Sequence, residues 1–195
     1  MIKNSISENK DFLIAEFNYA AQTAFQAQED RSRVSEFFII SIGSIVIALL
    51  SSQVLNIENN VLIKILLLIF GVVYIFGIFT ILHLSRLRLA WFESLKAMNK
   101  IKDEIIRTNP DLTSSFRWQS NTIPKLIRPW SVGFLLVLEI SLITSVFGSL
   151  IVYLQFFTNV QNISWGNILL SISIIWIANT VIFYILPLCF AKQKI

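Results

Sequence analysis

Residues Phe37–Leu55 read FFIISIGSIVIALLSSQVL and Ile65–Leu84 read ILLLIFGVVYIFGIFTILHL, and neither stretch holds an acidic or basic side chain other than His83. Each is close to the ~20 apolar residues a helix needs to cross the hydrocarbon core of a bilayer. Two more such stretches follow, Val132–Phe157 and Ile168–Phe190, with Glu139 as their only charged residue. Four membrane-spanning helices are therefore expected, and no strands.

The charges are sorted around these stretches. Of 16 Lys and Arg, 4 precede the first stretch, 9 lie between the second and third, and 2 follow the fourth. The connections Asn56–Asn60 and Thr158–Ser164 hold none. Lys64 is the exception, at a span end from which a long side chain can snorkel to the interface. By the positive-inside rule this pattern predicts both termini in the cytoplasm of a multi-pass inner-membrane protein. The polar residues before Phe37 lack the basic start and short apolar core of a secretory leader, so cleavage is not expected.

At 55% apolar and 14% charged, the 195-residue chain is far from the ~25% charge of soluble domains. Its net charge of +4 is accounted for by topology, with basic residues near span ends facing anionic headgroups, and not by nucleic-acid binding. One cysteine, Cys189, excludes an internal disulfide, and one histidine, His83, has no third group to orient it as a base. No metal cluster, phosphate loop or nucleophile constellation is present, so neither an enzyme nor a cofactor is expected.

The chain is expected to be all-α, its four transmembrane helices arranged as two hairpins. The first hairpin should extend into the cytoplasm as paired long helices, with arms 8–36 and 85–108. Ser5 and Glu8 have capping-box spacing, and Leu13, Phe17, Ala20, Ala21, Ala24 and Ala27 recur at helical intervals. Asn60 is the expected N-cap of the second helix, which Asn109–Pro110 ends. An antiparallel pair turning at Asn56–Asn60 brings together positions summing to ~117. That register sets Glu29 and Asp30 beside Arg86 and Arg88, Glu16 beside Lys100 and Lys102, and Asp11 beside Arg107. It also sets Phe25 near Phe92 and Phe12 near Ile105. Residues 110–131 form a connector in which Arg117, Trp118, Lys125, Arg128 and Trp130 suit the headgroup zone. The second hairpin, 132–195, carries Pro187, which can bend or end the last helix.

Glu139 is the sharpest single feature. It sits about 12 Å inside the third span, where a carboxylate is costly and faces protein or water by default. Asn179 on the fourth span is its expected neighbour, and Tyr74 and Ser44 fall at a similar depth. Ser141, Thr144, Ser145, Gly148 and Ser149 form a small-residue stripe nearly opposite Glu139. Ser44, Ala48 and Ser52 form a comparable face on the first span.

Phe17–Arg33 leading into Phe37–Leu55, a tiny turn and a returning cytoplasmic helix resemble the small prokaryotic membrane proteins of the SLATT type. The resemblance is architectural and covers residues 8–108; the hairpin from Val132 departs from the two-span plan. It implies a membrane effector of nucleotide-signalled conflict systems that forms pores. Two functions are carried forward. One is a homo-oligomeric effector or ion-conducting pore whose arms sense a signal. The other is a non-conducting anchor that holds a soluble cytoplasmic protein through residues 8–36 and 85–108. A pore should depend on Glu139, an anchor on the arms.

Overall fold

The computed structural model describes residues 2–51, 59–116, 119–156 and 165–192. Helix α1 is Ile2–Ser51, α2 is Asn59–Thr108, α3 is Val132–Phe156, α4 is Trp165–Thr180 and α5 is Leu186–Lys192. A π turn, Val181–Ile185, joins α4 to α5, and 3-10 turns cover Pro110–Ser115 and Ser120–Thr122. Among the described residues there is no strand. Four helical stretches are long and apolar enough to cross a membrane: Asp11–Ser51, Val61–Thr108, Val132–Gln155 and Trp165–Ala191. This is the helix set of a multi-pass membrane protein.

The lengths of α1 and α2 follow from what their sequences lack. Each runs 50 residues without a proline, and Gly43 in α1 and Gly71 and Gly77 in α2 are their only glycines. Helix α1 begins at Ile2, so Ser5 is inside it and does not cap it. Asn60 likewise is the second residue of α2 and not its cap. Nothing in Lys3–Ser5 or at Asn59 breaks a helix, and a cap needs non-helical backbone. Residues 52–58 and 157–164, where the two outer turns are expected, lie outside the described residues.

Two compact units are present, residues 1–31 with 86–128 and residues 32–85 with 129–195. In the first, α1 buries Ala20, Ala24 and Ala27, the small-residue face expected from the sequence. Small residues let backbones approach closely, whereas Phe12 and Phe25 point outward at 70% and 72% exposure. The expected packing of Phe12 near Ile105 and Phe25 near Phe92 is thus corrected, since they lie about 90° and about 130° to opposite sides of the alanine stripe. The Lys102 ammonium lies 5.7 Å from the Phe17 ring centre. Arg107 pairs with Glu104 on its own helix at 2.6 Å, in place of the expected Asp11.

The connector of this first unit folds back on α2. The Ser120 N–H approaches an Asp103 carboxylate oxygen at 3.5 Å, and Arg88 Nε–H donates to the Leu126 carbonyl at 3.0 Å. Going from Asp103 to Arg88 retraces about 22 Å of helix, a span that residues 120–126 cover when extended. Leu126 is buried and Arg88 is 5% exposed, its guanidinium 4.4 Å from the Trp91 ring centre. Arg31 approaches the same ring at 5.8 Å.

In the second unit, α1, α2, α3 and α4 contribute to a polar-studded core. Phe38, Ile81, Val137 and Ile140 are fully buried there, or nearly so. The Phe76 ring meets Phe37 edge-to-face at 6.2 Å and lies tilted against Phe38 at 5.5 Å. Gly77 lets α2 reach Thr144 of α3, and Gly148 of α3 lies against Tyr74 and Ile175. Ser131 starts α3 by receiving the Phe134 amide on its hydroxyl, at 3.4 Å. Trp130, just before it, holds a positive φ of 65°.

Pro187 does not end the last helix. It has no N–H to give to Phe183, four residues back, and its ring would crowd that carbonyl. The π turn at Val181–Ile185 widens the ladder at that point, and the helix continues to Lys192.

Candidate functional site

The small-residue stripe of α3 is buried along its length, with Ser141, Thr144 and Ser145 at 0% exposure and Ser149 at 2%. It serves α4. Trp176 Nε1–H donates to the Leu138 carbonyl at 3.0 Å, and the Ser141 hydroxyl donates to the Trp176 carbonyl at 3.2 Å. Thr180 donates to Ser141 at 3.0 Å, and Ser149 and Ser171 share a hydrogen bond farther along. Thr144 and Ser145 return their protons to carbonyls of their own helix. Each hydroxyl therefore has a partner without water, the condition for burying polar groups in hydrocarbon.

At the level of Thr180 the layer gains an amide. Asn179 is 2% exposed, and its Oδ1 accepts the Tyr74 hydroxyl at 3.1 Å. Its Nδ2 has no acceptor among the described residues. Two sequence-chosen residues, Tyr74 and Asn179, are thus brought together across α2 and α4.

Glu139 is not part of that layer. It is exposed, on the side of α3 turned from the buried stripe. The expected Glu139–Asn179 neighbourhood is corrected: Asn179 takes its hydrogen bond from Tyr74, and α3 places Ser141, not Glu139, toward α4. Around Glu139 the outward face of α3 is apolar, with Leu135 and Leu142 at 43% exposure and Val146 at 37%. Positions 135, 139, 142 and 146 follow the intervals of a helical contact seam.

Ser44 is also outside the layer. It is exposed on α1 and bonds the Ile40 carbonyl of its own helix at 2.9 Å. With Ala48 exposed as well, the small-residue face expected to pack closely on the first span is open within the single chain. Ser52 lies outside the described residues. Buried positions on that part of α1 are Ser35, Phe38 and Ile42, and the Phe38 ring lies 5.5 Å from that of Phe76 on α2.

Of the expected headgroup contacts, Lys125, Arg128 and Trp130 are exposed, Trp130 at 85%. Arg117 and Trp118 lie outside the described residues. His83 and Cys189 are exposed too. Among the described residues no three His, Cys, Asp or Glu side chains converge on a metal-sized site.

Sequence reasoning missed the indole of Trp176 and the Arg88–Trp91 pair. The first had no local signal, since its acceptor is a backbone carbonyl. Arg88 and Trp91, three residues apart on one helix face, offered one that was legible. Compared with known protein families, curated proteins and solved structures, the chain matches none.

Proposed function

We propose that this multi-pass protein acts as a homo-oligomeric effector of the inner membrane, conducting ions along a path to which Glu139 contributes. Residues 8–36 and 85–108 form its cytoplasmic sensing arms, paired as extensions of the first hairpin. The observation that carries the reading is Glu139 exposed in the middle of an apolar face of a spanning helix. A carboxylate near the middle of a spanning helix costs about 2.5–3.5 kcal/mol even on insertion scales. A second copy or a water-filled path removes most of that cost. Leu135, Leu142 and Val146 give the flanks of such a contact the apolar character that protein interfaces have at their core. Open Ser44 and Ala48 offer a second close-packing face of the kind used between helices in lipid.

Ion flux into vesicles tests this, together with crosslinking of Leu142→Cys in a background lacking Cys189. Glu139→Gln should change flux while preserving crosslinked oligomers, and Glu139→Leu should abolish flux. Wild-type flux in both variants would end the pore reading of this residue.

The anchor reading has its own observation. Phe12 and Tyr19, seven residues apart on one face of α1, are 70% and 68% exposed, an aromatic surface suited to a soluble partner. If Glu139 variants are silent and Phe12→Ser with Tyr19→Ser abolishes function, the arms carry it.

A further inference from the structure

A cavity of about 360 Å³ opens between α1 and α2 in the second unit, walled by Phe37, Phe76 and Phe79 with His83 on its rim. Phe37 and Phe79 are each 65% exposed, and His83 is exposed as well. Arg33, on the same rim, is already partnered. Two contacts set the heights in this unit: Gly77 lies opposite Thr144, and Tyr74 opposite Gly148. Helices α2 and α3 are therefore antiparallel, and positions whose numbers total about 222 share a height. That places Glu139 level with His83, Leu142 with Thr80 and Val146 with Phe76, and all three α2 positions line the cavity. Within one chain the two rows do not meet. Glu139 lies about 140° and about 180° around α3 from Thr144 and Gly148, the residues that α3 turns to α2.

We infer that this cavity receives the outward face of α3 from a second copy of the chain, whose Glu139 accepts a hydrogen bond from the His83 imidazole while its Leu142 and Val146 lie against Phe79 and Phe76. The contact rests on the association of copies proposed above, and it names the faces that associate. Copies inserted the same way up share one set of heights, so the level match within a chain carries over between neighbours. Polar complementarity selects the occupant. Imidazole carries an N–H whether neutral or protonated, and an ionised carboxyl is an acceptor only. A hydrocarbon chain from lipid covers the aromatic walls equally well, but it gives His83 no acceptor and Glu139 no donor. The Thr80 hydroxyl already donates to the Phe76 carbonyl at 2.9 Å, which leaves His83 as the donor at that rim. Cavity and α3 face are different surfaces of one chain. The contact is therefore head-to-tail, which builds rings or rows of copies and not two-fold pairs.

Disulfide formation by copper phenanthroline, in membranes holding the full chain in a background lacking Cys189, tests which faces meet. Chains carrying both Leu142→Cys and Phe79→Cys should give a ladder of dimers, trimers and higher species. Each single variant should give none, because like faces do not meet. A long bis-maleimide joins neighbouring Leu142→Cys copies whichever faces meet, and so reads association by itself. Association without the ladder, as when lipid fills the cavity, would overturn this contact and leave the proposed oligomer standing. No joined copies with either reagent would remove both. Dimers from Leu142→Cys alone under the oxidant would show a two-fold α3 contact and overturn the head-to-tail one. In the ladder-forming chain, Glu139→Leu and His83→Leu should each lower the ladder yield by roughly tenfold, as expected for one charge-assisted hydrogen bond. Combined, they should lose little more than either alone, and additive losses would show that the two side chains do not meet. Glu139→Gln should keep the ladder, because its amide oxygen still accepts the imidazole N–H.

Discussion

Replacing Gly77 by alanine tests the approach of α2 to Thr144 of α3 in the second unit. A Cβ added at Gly77 would overlap the Thr144 hydroxyl and stand 2.6 Å from Thr144 Cγ2 and 2.9 Å from Thr144 Cβ. Rotating Thr144 about χ1 moves its hydroxyl and methyl, but it leaves Cβ in place. Comfortable carbon contacts need about 3.5–4.0 Å, so α2 and α3 must separate. Overpacking of this kind costs about 1–3 kcal/mol. Against it stands the helical gain of alanine over glycine, about 1 kcal/mol in soluble helices. Gly71 isolates that gain, because a Cβ there would meet nothing within 4 Å. Gly71→Ala should be neutral or mildly stabilising in reversible unfolding from detergent, and Gly77→Ala should fall below it by about 1–3 kcal/mol. Adding Thr144→Ala to Gly77→Ala should restore only part of the loss, since the Cβ contact persists. Equal stability of the Gly71 and Gly77 variants would refute the close approach, and with it the packing of α2 on α3.

Three further outcomes are expected. Tyr74→Phe and Asn179→Leu should each destabilise by about 0.6–1.7 kcal/mol, and the double variant should lose less than their sum, because the pair shares one hydrogen bond; additive losses in the same unfolding assay would show no coupling. Trp130→Gly should raise the thermal midpoint, because glycine relieves about 1 kcal/mol of strain at φ 65° and an indole 85% exposed gives up little packing; a lower midpoint would mean the indole holds the turn. Arg88→Met should release the connector from α2 at a cost of about 1–3 kcal/mol, read as faster proteolysis within residues 119–128; unchanged cleavage would mean Leu126 is held by its apolar contacts alone.

The sequence made the helices legible because hydropathy and the absence of proline act locally. Ala20, Ala24 and Ala27 declared a packed face by their spacing, and Ser141 to Ser149 declared another. The direction of Glu139 followed from that second face through helical geometry, since residues nearly opposite a buried stripe cannot share its contacts. Its partner did not follow. Matching depth along two spans allowed Asn179 to face either α3 or α2, and only three-dimensional packing brings Tyr74 to it. Hydrogen bonds to backbone carbonyls, such as Trp176 to Leu138 and Arg88 to Leu126, are invisible in sequence because any residue supplies the acceptor. Phe12 and Phe25 were misread because an antiparallel register fixes height along a helix pair and not which side of the helix faces the partner.

The polar groups of the spanning helices fall into two kinds, and the division bears on function. Hydroxyls and the Trp176 indole turn inward or back onto their own helix, where carbonyl oxygens satisfy them at little cost. Glu139 is the only carboxyl among the four apolar stretches, and it faces out beside Leu135, Leu142 and Val146. Had it served only to join helices of one chain, the inward side offered a better place, beside an Asn179 amide that lacks an acceptor among the described residues. A carboxylate there would accept that N–H. The outward position instead leaves the cost of the carboxyl to whatever covers α3. On the proposed reading the single chain is therefore the incomplete unit. Association of copies then lowers the free energy at the same residue that an ion path would use, so assembly and conduction should respond together to Glu139→Leu and separately to Glu139→Gln.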